Sequence, residues 1–324
     1  MIDELTAGKS ATRTIIGLSG GVDSSYLALL SARWGLRPLV VHVDAGWNTA
    51  ASVRNVRQVV DRLGLDLHTV VINWRAMRNL QRAFLYSGVR NQDIPQDHAF
   101  FSSLYRIANK YKIRNVLVGA NLTTESILPS SWGKGAMDGR YIRSVARSQG
   151  VQRLDSYPLL HLSRHYMLNL GLRRMVIYKP LDMINYVRSE AIRELEQSVG
   201  WMSYGGKHRE SLFTSWYQHS YLVRRFGIDK RKAHYSSLIV SGQMTRETAL
   251  SKLESPTMES LEEKVVSQQV ARKLGFSETE LFSLVALPEI NESEFANDEW
   301  INSASLLKVG KNLVSSRNQI LRNS

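Results

Sequence analysis

The run Ile15-Ile16-Gly17-Leu18-Ser19-Gly20-Gly21-Val22-Asp23-Ser24-Ser25 restricts the possible folds more than any other stretch of this sequence. Ile15, Ile16 and Leu18 suit a buried parallel strand, and Tyr26, Leu27, Leu29 and Leu30 continue at helical spacing. Between strand and helix lies a glycine turn. Gly20 and Gly21 lack Cβ atoms, so the backbone N–H groups of the turn can approach an anion. The helix that follows, opening at Val22, points its positive end at the same place. Ser19, Ser24 and Ser25 add hydroxyl donors. Asp23 would repel a bare phosphate, but it becomes useful when Mg2+ lies between the two. A plain strand, Gly-Gly turn and serine-capped helix with no ligand is the bland alternative. Mg2+ and a polyphosphate such as ATP are the sharper expectation.

The sequence around this turn alternates strand and helix. Strands are expected over residues 14–18, 38–43, 67–72 and 115–119, with helices from the turn to about 34 and over 49–63, 76–86 and 98–110. Such a rhythm predicts an α/β fold, a doubly wound parallel sheet whose ligands bind at the carboxyl ends of the strands. The first strand then delivers Ser19 to Asp23, the second Asp44, Gly46, Trp47 and Asn48, the fourth Gly119 and Asn121. Past Pro129 the rhythm fades into aromatic and glycine-rich stretches. From about Ile184 the pattern is mostly helical, with Thr245 as a helix cap and Ser255-Pro256 as a break. Two units are expected, a nucleotide-binding domain over 1–180 and a mostly helical substrate or partner region over 181–324.

Composition narrows the chemistry. The 324 residues include no cysteine, which removes disulfides, thiolate zinc sites, persulfide carriers and thiol nucleophiles together. No HExxH pattern occurs among the eight histidines. No apolar run is long enough to span a bilayer, and residues 1–6 do not look like a secretory signal, so a cytoplasmic protein is expected. The net charge of +13 calls for an anionic partner. A nucleic acid, an anionic membrane surface or a nucleotide-diphosphate substrate would each account for it; the arginines are dispersed without an evident aromatic platform, and by default such charges are solvated surface.

The string SGGVDS is the SGGxDS signature of the PP-loop ATP pyrophosphatases, which typically cleave ATP between the α and β phosphates. No GxxxxGKS or GxxxxGKT loop occurs, which disfavours γ-phosphoryl transfer. Gly119, Asn121 and Glu125 stand at the offsets of the corresponding loop of NAD synthetase, which this segment resembles. There the acid shares Mg2+ with the PP-loop Asp, so the resemblance implies a metal pair of Asp23 and Glu125. Over almost its whole length the sequence is similar to the PP-loop N-acetyl sugar amidotransferases of bacterial lipopolysaccharide and surface-polysaccharide biosynthesis. The similarity is carried by Val41-His42-Val43-Asp44-Ala45-Gly46-Trp47-Asn48, Ile94-Pro95-Gln96-Asp97-His98, Pro129-Ser130-Ser131-Trp132-Gly133 and Tyr204-Gly205-Gly206-Lys207-His208-Arg209-Glu210-Ser211. Phe226-Gly227-Ile228-Asp229-Lys230-Arg231-Lys232-Ala233-His234 and Ser241-Gly242-Gln243-Met244-Thr245-Arg246-Glu247 complete it.

That resemblance implies conversion of an acetamido group on a UDP-activated sugar into an acetamidino group through an O-adenylyl imidate, with AMP and pyrophosphate released. It implies that Ser19, Gly20, Gly21, Val22, Ser24 and Ser25 hold the departing pyrophosphate and that Asp44, Gly46 and Gly119 border the adenosine. Lys207 would neutralise charge near the α-phosphate. Trp47, Asn48, Asp97, His98, Asn121, Trp132, Tyr204 and Glu210 are candidates for the sugar-nucleotide pocket, with a core or capping role open for His98. Relatives often begin with a Cys-rich, zinc-ribbon-like segment; without cysteine, no zinc is expected here. Ammonia must then come from a partner, since a Cys-type glutaminase is excluded. The resemblance implies a glutaminase subunit and a cyclase-like barrel subunit, both like those of imidazole glycerol phosphate synthase. The competing readings are a tRNA-modifying PP-loop enzyme, which the positive charge favours, and a non-catalytic nucleotide-binding subunit.

Overall fold

A computed structural model describes residues 14–172, 174–204, 209–288 and 290–303. Strands β1 (Thr14–Gly17), β2 (Leu39–Asp44), β3 (Leu67–Val71), β4 (Asn115–Leu117) and β5 (Val176–Tyr178) form one sheet in the order β3-β2-β1-β4-β5, and every pairing is parallel. Helices α1 (Val22–Arg33), α2 (Ala50–Leu63), α3 (Trp74–Ser87) and α4 (Ile94–Lys110) provide the crossovers. The order reverses between β1 and β4, which creates a crevice at their carboxyl ends.

Alternation along the strands sorts side chains to two faces. Ile15, Val41, Val43 and Val116 join one hydrophobic cluster with Leu80 and Phe84 of α3 and Leu104 of α4. Ile16, Val40 and Leu117 join another with Leu27 of α1 and Val56 and Val59 of α2. The expected alternation over residues 14–119 is observed, with β4 ending at Leu117, so that Gly119 lies in the loop beyond. Strand β5 was not anticipated. Three residues are too short to display a period, and only pairing with β4 makes Val176-Ile177-Tyr178 a strand.

Later elements are helical: α5 (Leu122–Glu125), α6 (Gly139–Ser148), α7 (Arg188–Val199), α8, α9 (Lys230–Val240), α10 (Arg246–Glu254), α11 (Ser260–Leu274) and α12 (Glu278–Ser283). Helix α8 runs over Leu212–Trp216, widens to a π-helical turn over Tyr217–Tyr221 and resumes over Leu222–Phe226. Thr245 caps α10 by accepting from Thr248 N at 3.2 Å. Packing does not break at residue 180. Ala191, Leu195 and Val199 of α7 complete the cluster over α1, while Phe213, Trp216, Val270 and Leu274 extend the cluster on the opposite face. Among the described residues, no helix is long and apolar enough to cross a membrane.

Candidate active site

Helix α1 begins without a side-chain cap. Its N-cap is Gly21 in extended conformation, whereas α2 and α3 are capped by Thr49 and Asn73. The first-turn N–H groups of α1 thus keep their capacity for an outside acceptor. The turn before them is held from behind. Gly20 adopts φ +86°, and its carbonyl accepts from Trp201 Nε1 at 3.0 Å and Asn55 Nδ2 at 3.4 Å. Ser24 Oγ accepts from Ser19 N at 3.3 Å, and Ser19 Oγ accepts from Gly21 N at 3.2 Å, which shapes the turn from within.

The crevice holds a cavity of about 600 Å³. Ser19, Gly21, Val22, Asp23, Ser24, Asn48, Asp97, Gly119, Glu125, Tyr204 and Glu210 all line it, so these expected residues meet in one place. Its far wall is apolar, made by Phe100, Phe101, Leu104, Leu117, Val118 and Ile177. A Cβ on Gly21 would lie 3.2 Å from both Glu210 Oε1 and Ser19 Oγ and 3.4 Å from the Tyr204 hydroxyl, so glycine leaves open the hollow a side chain would fill. A Cβ on Gly119 would lie 3.0 Å from Ser24 N, so glycine there lets the β4 loop close onto the start of α1.

A second cavity of about 330 Å³ adjoins the first. Ser19, Asn48, Asp97, Phe100, Glu125 and Glu210 border both, and the smaller chamber adds Asp93, Gln96, Thr214, Gln218, Lys230 and His234. Glu210 arrives through an antiparallel bridge of Asn48 with Ser211, reinforced by Thr49 N donating to Glu210 O at 3.0 Å.

Electrostatics concentrate at the shared wall. Burial, with the neighbouring charge of Asp93 next in weight, pushes the Asp97 carboxyl up to about 8; Lys230 opposes this, and Glu125 and Glu210 add to it. Burial also raises Asp93, against the pull of Lys230 and the hydrogen bonds from Gln218 and Thr214. Tyr204 and Tyr186 are raised by burial first and then by Glu210 and Asp23 respectively, so both remain donors. The Tyr186 hydroxyl donates to Asp23 Oδ1.

Other expected residues stand elsewhere. His98 is fully buried; its Nδ1–H donates to Ala136 O at 2.6 Å and its Nε2 accepts from Leu160 N at 2.8 Å, so it ties loops together. Trp47 is a core ring against Trp74 and Phe213. Asp44 Oδ1 accepts from Gly46 N at 2.8 Å and Gly46 lies against the Trp74 ring, so both shape the β2 turn without lining either chamber. Asn121 caps α5 by accepting from Thr124 N at 2.9 Å. Ser25 is buried within α1, Gly20 lies behind the turn and Trp132 belongs to a short 3-10 turn; none of the three lines a chamber. Lys207 lies outside the described residues. Lys179, at the end of the unforeseen β5, and Arg188, at the start of α7, also line the larger cavity, and Tyr186 holds Asp23. For Lys179 a Lys-Pro pair ending a short apolar run was the available signal.

The potential metal ligands lining the larger cavity are oxygens, the carboxylates of Asp23, Asp97, Glu125 and Glu210 among them. Asp23 and Glu125 supply two carboxylates there, and among the described residues no group of three metal-ligating side chains forms a cage. Such a set fits Mg2+, which binds through one or two carboxylates plus substrate phosphates and water.

Residues 1–157 match the NAD synthase family, and residues 210–308 match the family described as LPS biosynthesis protein WbpG-like, C-terminal domain. No curated protein matches the chain. Among solved structures, NMN synthetase from Francisella tularensis is similar at 17% identity over 66% of this chain and 86% of that one, with a TM-score of 0.33. NH3-dependent NAD synthetase from Campylobacter jejuni is similar at 14% identity over 61% and 89%, with a TM-score of 0.31. The U34-tRNA thiolase NcsA from Methanococcus maripaludis is similar at 13% identity over 75% and 76%, with a TM-score of 0.34. The chain thus carries an N-terminal segment similar to NAD synthase and a C-terminal segment similar to that of the WbpG-like proteins of LPS biosynthesis.

Proposed function

We propose that this protein is an ATP-dependent amidotransferase that converts an acetamido group of a UDP-activated N-acetyl sugar into an acetamidino group. The observation that carries this reading is the wall shared by the two chambers. It includes Ser19 of the phosphate turn and the acids Asp97, Glu125 and Glu210, so an α-phosphorus in the larger chamber and an acyl oxygen in the smaller one can meet. The match of residues 210–308 to an LPS-biosynthesis family favours a sugar substrate.

An amide carbonyl is a weak electrophile with a poor leaving group. Attack of its oxygen on the α-phosphorus of ATP releases pyrophosphate and the amide N–H proton and forms the O-adenylyl imidate. Ammonia adds to the imidate carbon, AMP leaves, and the amidine remains. Catalysis then consists of positioning and charge stabilisation. Ser19, Gly21 and the open start of α1 cradle the pyrophosphate, while Lys179 and Arg188 offset its charge. Asp23 and Glu125 would hold Mg2+, which supplies charge neutralisation at the phosphates. Asp97, its carboxyl near 8, exchanges a proton in the range where the amide proton needs an acceptor. Asn48, Tyr204 and Glu210 orient the sugar. Ammonia is delivered by a partner glutaminase through a cyclase-like barrel subunit.

Pyrophosphate release from ATP, assayed with Mg2+, ammonia and a panel of UDP-N-acetyl sugars, tests the proposal. Release that requires one of the sugars, with AMP as the second product, is expected. Sugar-independent release, ADP as the product, or glutamine-dependent turnover by the chain alone would overturn it.

A further inference from the structure

The strings around Asp229 and Gln243 carry much of the sequence resemblance, yet apart from Lys230, Ala233 and His234 their residues do not line either chamber. Their contacts explain why. Three residues on one face of α9 and its C-terminal end grip the loop that bears Glu125. His234 Nδ1–H donates to Thr124 O at 3.2 Å, Ser237 Oγ accepts from Ile127 N at 3.1 Å, and Ser241 Oγ donates to Thr123 O at 3.3 Å. The grip thus touches backbone on both sides of Glu125. Two residues further on, Gln243 uses both ends of its amide on the segment that enters α7. Its Nε2 donates to Tyr186 O at 2.7 Å, and its Oε1 accepts from Arg188 N at 3.1 Å. Tyr186, only 2% exposed, gives its hydroxyl to Asp23 Oδ1. Asp182 Oδ1 accepts from Leu122 N at 2.6 Å and joins the two gripped segments.

We infer that α9 and Gln243 form a positioning device for both carboxylates of the metal pair, acting on Glu125 through its loop and on Asp23 through Tyr186. The inference rests on the metal pair of the proposed function and is independent of the sugar substrate. A tie made only for stability would end on backbone or in the core; this one ends on a carboxylate oxygen in the crevice. A hydrogen bond to one oxygen of Asp23 fixes the orientation of the carboxylate, which is how outer partners orient metal ligands.

The test uses the full chain, Mn2+ as the probe metal and α,β-methylene ATP, with free Mn2+ read by electron paramagnetic resonance. Tyr186→Phe removes one oxygen and keeps the ring beside Tyr26, 5.8 Å away between centroids. It and Gln243→Ala are each expected to weaken Mn2+ binding in the presence of nucleotide roughly tenfold. In the double variant the losses should not multiply, since Gln243 acts through Tyr186. Thermal unfolding monitors integrity, and the Phe variant, losing only a hydroxyl, keeps the test decisive if Gln243→Ala does not fold. Wild-type affinity in Tyr186→Phe, or fully multiplicative losses in the double variant, would overturn the inference while leaving the metal pair intact. Absence of nucleotide-dependent Mn2+ binding in the wild type would instead overturn the metal pair itself.

Discussion

His98 is a residue whose burial sets a measurable property. With Nδ1–H given to Ala136 O and Nε2 receiving Leu160 N, the ring is neutral, and burial lowers its pKa to about 4. The unfolded chain binds this proton below about 6.5, so the stability contribution is complete above that pH and is lost as pH falls toward 4. Over that window the unfolding free energy should drop by about 3 kcal/mol from this group. Urea titrations at a series of pH values check it, and His98→Asn should flatten the dependence. Ser19, Asp23 and Glu125, which line the larger cavity, could be singled out from sequence because their types and spacing follow the glycine turn and the loop after β4. His98 and Trp47 sit in strings of the same resemblance, but burial alone distinguishes a core ring from a ligand contact. Tyr186 left no local trace, because its partner Asp23 lies 163 residues away.

Helix α9 is the element through which the C-terminal part reaches the crevice. Its N-cap, Asp229, accepts from Arg231 N at 2.9 Å and pairs with the Arg231 guanidinium at 2.8 Å, while Arg231 Nη1 donates to Ser255 O at 2.9 Å. Asp229→Ala should cost about 1–2 kcal/mol through loss of the cap and the pair. Denaturant unfolding measures this, and the same variant should loosen the α9 grip on the Glu125 loop. Helix α10 was legible in outline from its cap, Thr245. Strand β5 was not, since its three residues acquire strand character only from pairing with β4. The π turn in α8 was equally hidden. It lies where Gln218 donates to the buried Asp93 at 3.2 Å, a tertiary demand on an otherwise α-helical stretch.

At the scale of the whole molecule, both faces of the sheet are closed by later parts of the chain. Phe213, Trp216, Val270 and Leu274 share a cluster with Ile15, Val41 and Val116, and α7 covers α1. A chain ending at residue 209 would keep α3 and α4 on the first of these faces but lose Phe213, Trp216, Val270 and Leu274 from its cluster, a burial loss of several large side chains at about 1.5–3 kcal/mol each. Such a fragment should show no cooperative thermal transition by circular dichroism, whereas the full chain should melt cooperatively. By itself the sequence determined the α/β class, most of the strand order's raw material and the glycine turn before α1, because periodicity and glycine conformation are local physics. Tertiary structure alone decided which of the expected residues share a cavity, that two chambers meet at Asp97 and Glu210, and that Tyr186 and Gln243 stand behind Asp23. Those facts depend on packing between segments far apart in the chain, and no local spacing encodes a distance across the fold.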